Sequence, residues 1–217
     1  MLHWAEKPDV PLLERLRYLC IVSSNLDEFF EVRADPHLTV WREHAEAAHD
    51  MRRVMAAARA LVDRQYAIYN SSLLPALERQ HMRIVSHLDR TEAQRKWVRE
   101  HFLREVKPLL VPVALDPAHP FPQVANKSLN FIVQLKGHAP FGRGEGQAAF
   151  ARSNDVALVK VPRVLPRVLR LPERVSAGET LFVMLSSVVR AHLPDLFPGR
   201  EVGAFSHFRV TRDSDLS

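Results

Sequence analysis

Apolar residues recur at three- and four-residue steps up to about residue 107, and beyond it the pattern changes to short alternating runs. Leu12, Leu13, Leu16, Leu19 and Cys20 form the first stripe, behind a Pro11 that suits a first helical turn. Ser23-Ser24-Asn25 interrupts it with short polar side chains, which compete for backbone hydrogen bonds and favour caps over helix interiors. Asn25 with Glu28, or Ser24 with Asp27 one residue earlier, predicts an N-cap with a reciprocal partner. A second helix carrying Phe29, Phe30 and Val32 then runs to about Ala34, where Asp35-Pro36 breaks it. From Asp50 to about Glu78, Met51, Val54, Met55, Ala58, Leu61, Val62, Tyr66 and Tyr69 predict the longest helix. It would span roughly 40 Å, with a bend at Asn70-Ser71-Ser72. Asp89 and Glu92 read as a capping box opening a helix through Trp97, Val98, Phe102, Leu103 and Val106, which Lys107-Pro108 ends.

Strand signals follow. Leu109–Leu115 is apolar, but Pro112 confines it to an edge strand or a linker. Three prolines in Asp116–Pro122 keep that stretch extended or turned. Ser128–Leu135 alternates, and Val156–Val161 is apolar at every position except Lys160. Between them, 137–153 is a glycine-bearing loop whose Gly-Arg-Gly-Glu-Gly lacks the Gly-Lys-Ser/Thr ending of a phosphate loop. Pro162–Pro172 repeats a Pro-Arg-Val-Leu unit on an irregular edge, Glu179–His192 reads as one amphipathic helix, and Val202–Val210 as a strand. The fold class is therefore α+β: an all-α helical bundle at 1–107, then a smaller mixed head domain at 108–217 that breaks off after a strand.

Composition changes this picture little. At 47% hydrophobic and 25% charged, the chain can bury a real core. It lacks the run of about 18 apolar residues that a membrane span needs, and its start has no apolar signal segment. A single cysteine, Cys20, fits a reducing cytoplasm and, lying among Leu19, Ile21 and Val22, is expected to be a buried inert thiol. A net charge of +5 permits a polyanionic partner without naming one. His37, His44 and His49 are spaced by seven and five, which does not put three ligands on one helical face; a solvated face is expected, and no metal site.

The run from Pro11 to Arg33, ending Ser-Ser-Asn-Leu-Asp-Glu-Phe-Phe-Glu-Val-Arg, resembles the N-terminal signature of the large bacterial polyphosphate kinases. Leu-Asp-Pro-Ala-His-Pro-Phe-Pro at 115–122, Phe-Pro-Gly-Arg-Glu-Val at 197–202 and Phe-Arg-Val-Thr-Arg-Asp-Ser-Asp-Leu at 208–216 are similar to the same family's head domain. The resemblance implies that Asn25 approaches the adenine of ATP in a helical domain roofing the nucleotide site. It also implies dimer and polyphosphate-tunnel contacts from the head domain, a homo-oligomeric full-length protein, and Mg2+ with ATP, although no Mg2+ ligand is identifiable here. Arg163, Arg167 and Arg170 are candidate polyanion contacts, through paired hydrogen bonds to phosphate oxygens.

The family's Ser-Trp-Leu-x-Phe-Asn element ahead of this run is absent, and the resemblance places the phosphorylated histidine in one of two C-terminal domains whose motifs have a His-x-Lys spacing. None of the eleven histidines here precedes a lysine by two. The expectation is therefore a fragment or truncated homologue, inactive alone, that supplies a nucleotide-facing wall. Any membrane association would come through the full-length complex. A non-catalytic polyanion-binding or interaction module is the competing reading. A nucleic-acid binder has only the basic pI of about 9.7 behind it.

Overall fold

The computed structural model describes residues 1–33, 45–116, 119–136 and 156–212. Ala34 with the Asp35-Pro36 break, His37 and His44, and the 137–153 loop lie outside the described residues. The chain forms two compact units, Met1–Arg83 with the C-terminal residues from Thr211, and Ile84–Val210.

Unit 1 is helical. Helix α1 (Leu2–Glu6) precedes α2 (Leu12–Glu28), which continues as a π-type turn over Phe29–Arg33. Helix α3 (Ala45–Ile68) likewise passes through a π-type turn, Tyr69–Leu73, into α4 (Leu74–Arg79). That second turn falls on the Asn70-Ser71-Ser72 bend, where the Ser71 hydroxyl donates back to the Ala67 carbonyl. Leu2, Ala5, Leu19, Val22, Ile68 and Leu73 form the core, with Leu12, Leu16 and Leu26 packed on it.

Three expectations about α2 are corrected. No helix starts at Asn25 or Ser24: α2 runs straight through Ser23-Ser24-Asn25. Interior Ser and Asn cost only about half a kcal/mol each, and burial of Leu19, Val22 and Leu26 outweighs that. The Ser23 hydroxyl is instead engaged from the side by Gln65 Nε2 of α3 at 2.7 Å, and the same nitrogen reaches the Leu19 carbonyl. Cys20 is exposed, not buried, and so is Leu13. The inward stripe includes Arg15, 8% exposed, where a purely apolar pattern was read.

Unit 2 is mixed and is the larger of the two. Helix α5 (Glu92–His101) extends through a π-type turn (Phe102–Val106) and a 3-10 turn (Lys107–Leu109). Its cap is Thr91, which accepts from the Gln94 amide while Gln94 Oε1 accepts from the Thr91 amide. The Asp89/Glu92 frame is thus displaced by two residues, Asp89 being occupied by the Ser86 hydroxyl at 2.6 Å. Val98, Phe102 and Val106 belong to the same core as the strands. The division therefore falls at Arg83/Ile84 instead of near residue 107, because α5 buries its apolar face on the sheets and not on the helices before it.

Four strands, β2 (Val111–Ala114), β3 (Leu129–Lys136), β4 (Val156–Val161) and β7 (Glu201–Phe208), form an antiparallel sheet in the order β2-β4-β3-β7. Pro112 sits on edge strand β2 opposite Val159, as its missing N–H requires. A second sheet has the order β1-β6-β5, with β1 (Met82–Ile84) crossing the division, β5 (Val168–Arg170) and β6 (Thr180–Met184). Here the expected Glu179–His192 helix is overturned: Thr180–Met184 is a strand, and only α6 (Leu185–Ala191) is helical. Leu181 and Val183 alternate inward from Thr180, Phe182 and Met184, a period of two that the continuous apolar run concealed.

The candidate nucleotide cleft

In unit 1, α1, α2 and α3 enclose an open cleft of about 670 Å³. Leu26, Phe29, Val54 and Leu61 give it apolar walls, and Asn25, His3 and Arg64 bring polar groups. Phe29 and Leu61 are 37% and 42% exposed, so apolar surface stands open to solvent there. Because α2 does not start at Asn25, the Asn25 side chain caps nothing. It lines the cleft, and among the described residues its amide makes no hydrogen bond. A side-chain amide presents both a donor and an acceptor, the complement of an adenine edge, and flat apolar side chains suit its faces.

Two contacts hold α1 as one wall. The Arg64 guanidinium of α3 grips the Glu6 carboxylate of α1 through Nε and Nη2, at 2.7 and 2.6 Å. Buried Arg15 of α2 donates to the Ala5 carbonyl and the Ser72 hydroxyl, each at 2.7 Å. The hydrogen bond from Arg64 holds the Glu6 carboxyl below its usual range. A depressed carboxylate supports the fold above its unfolded pKa and stops doing so as pH falls through the folded value. The docking of α1 is therefore expected to weaken as pH drops below the ordinary carboxylate range. Glu6→Gln should remove this dependence; an unchanged pH profile of Trp4 fluorescence in that variant would refute it.

The three candidate arginines lie in unit 2 and do not form one face. Arg163 and Arg167 are close enough that Arg163, after burial, helps to lower the Arg167 pKa. One buried Arg167 nitrogen, Nη1, has no partner among the described residues. Arg170 is paired with Phe182 across β5 and β6 and lines a separate cleft with Trp97, Glu173 and Glu179. No cluster of three or more His, Cys, Asp or Glu side chains placed to hold a metal occurs among the described residues. No helix among them is long and apolar enough to cross a membrane.

Residues 1–85 match the family model of the polyphosphate kinase N-terminal domain, and 93–217 that of the polyphosphate kinase middle domain. The polyphosphate kinase of Neisseria meningitidis serogroup A is 46% identical over 98% of this chain, and that of Pseudomonas syringae pv. tomato 45% over 95%. These alignments cover 31% and 28% of the relatives, so the chain spans about a third of their length. The crystal structure of polyphosphate kinase from Porphyromonas gingivalis superposes on the whole chain with a TM-score of 0.84 at 27% identity, covering 31% of that protein.

Proposed function

The chain belongs to the polyphosphate kinase family, and on that premise we propose that it carries the nucleotide-facing part of an ATP:polyphosphate phosphotransferase. In this reading Asn25 reads the adenine edge of ATP, with Leu26, Phe29, Val54 and Leu61 against the base. The observation that carries it is an amide lining an apolar cleft and bonded to nothing else among the described residues. Reversible transfer of the terminal phosphate to polyphosphate, through a phosphohistidine, belongs to other domains of the family. Mg2+ with ATP and homo-oligomeric assembly are part of the same reading. Arg163 and Arg167 are its candidate polyphosphate contacts, supported by their proximity and by the unpaired Arg167 Nη1. Arg170, beside Glu173 and Glu179, is the weaker candidate of the three.

Asn25→Ala tests the adenine contact. Losing one donor and one acceptor at the base edge is expected to weaken ATP binding roughly tenfold, about 1.4 kcal/mol. Stability should rise by about half a kcal/mol, since alanine is the better residue in a helix interior. Titration calorimetry of ATP on the full chain, with a thermal melt beside it, separates the two effects. An unchanged ATP affinity would remove Asn25 from the site.

A further inference from the structure

Arg90 of unit 2 is 3% exposed, yet no carboxylate among the described residues bonds to it. Its Nη2 donates to the Ser187 hydroxyl at 2.6 Å, and its buried Nε has no partner. A guanidinium taken out of water without an anion is costly, and the usual remedy is a counter-charge nearby. Ser187 faces a cleft of about 650 Å³, bounded by Ile84–His87, Met184 with the start of α6, and Gly203–His207 of β7. Arg190, His87 and His207 line it together with Ser86, Ser186, Ser187 and Ser206, and no carboxylate is among the lining residues. The nearby acid, Asp89, is engaged by Ser86.

We propose that this cleft is an oxyanion site taking a phosphate group, held by Arg190 and the hydroxyls of Ser186 and Ser187, with Arg90 as a buried positioning residue behind Ser187. Arg190 is placed by the ring of Phe205, 5.3 Å from its guanidinium carbon. The Ser187 oxygen accepts from Arg90, which leaves its O–H free to donate to a ligand. A guanidinium beside hydroxyl donors is a set suited to phosphate oxygens. Burial, then Arg190 and Arg90, lowers the His87 pKa, with Asp89 opposing. Ile84, Met184 and Phe205 leave an apolar wall for the remainder of a phosphorylated ligand. The site shares no residue with the Asn25 cleft and does not rest on the adenine reading.

The test is an NMR titration of the full chain with inorganic phosphate, tripolyphosphate and phenyl phosphate, against potassium chloride at matched ionic strength. Saturable shifts at 84–87, 184–190 and 203–207 are expected from at least one phosphate and not from chloride. The strongest ligand distinguishes a free phosphate, a chain end and an aromatic ester as the source. Arg190→Gln, on an exposed side chain, should weaken binding about tenfold, and Ser187→Ala about threefold, with melting temperatures unchanged. Shifts equal in chloride, no saturation with any phosphate, or full affinity in Arg190→Gln would each overturn the site.

Discussion

Phe102→Ala is expected to destabilise unit 2 by about 3–5 kcal/mol, the range for emptying a buried aromatic site. Phe102 has no exposed surface and lies in the cluster that also holds Val98, Phe131, Val159 and Leu193. Its ring stacks on His192, with centroids 4.5 Å apart and planes 14° from parallel. His192 is itself pinned, its Nδ1 lying 2.9 Å from the Val188 carbonyl of α6. The ring is fully enclosed by this cluster, which places the cost high in that range. Phe102→Leu should cost about 1–2 kcal/mol, since it keeps most of the buried volume. Leu103→Ala, one residue along and 42% exposed, should cost under about 1 kcal/mol. Urea unfolding followed through Trp97 on α5 measures all three. Equal costs for Phe102→Ala and Leu103→Ala would mean that α5 is not docked as described.

The same helix shows where local pattern suffices and where it does not. Val98, Phe102 and Val106 are legible as a helical stripe, because a period near 3.6 survives in the residues themselves. Which core receives that stripe is not local information, and the domain boundary was therefore read twenty-odd residues late. Strands β3 and β4 were legible for a similar reason: alternation in one, and in the other a short apolar run buried on both sides. Pro112 announced an edge. Strand β6 failed because Leu181, Phe182, Val183, Met184 and Leu185 are apolar whichever period is applied; pairing with β5 settles the choice. The Asn25 cap failed because local competition for hydrogen bonds lost to helix packing, and that failure leaves the amide in the cleft. Asn25 itself was legible only through the family resemblance. Leu61 and Val54 of the cleft read as bundle core, since an apolar stripe does not say which part of it stays uncovered. Arg90 and Arg15 gave no signal: a charged residue in a sequence looks solvated until its neighbours are known.

Arg15→Ala is expected to destabilise unit 1 by about 2–4 kcal/mol and, at temperatures where the variant stays folded, to weaken ATP binding as well. Among the described residues the guanidinium has no acid partner; it serves a backbone carbonyl and a hydroxyl. Its removal leaves the buried Ala5 carbonyl without that donor, at about 1–3 kcal/mol for a group left unsatisfied, and frees the half-buried Ser72 hydroxyl at a smaller cost. The side-chain stem also fills space in the core, which alanine does not. The carbonyl belongs to α1, and Leu2 and His3 of that helix line the cleft beside Met1, so the loss reaches the proposed nucleotide wall. A five-residue helix has no stability of its own and depends on such contacts. Arg15→Lys restores charge without the fork that reaches both acceptors, and should recover less than half of the loss. The Trp4–Tyr18 ring contact, 6.5 Å between centroids, makes Trp4 fluorescence a direct reporter of α1. A variant that melts lower but keeps native Trp4 emission and full ATP affinity would confine Arg15 to stability and detach α1 from the nucleotide site.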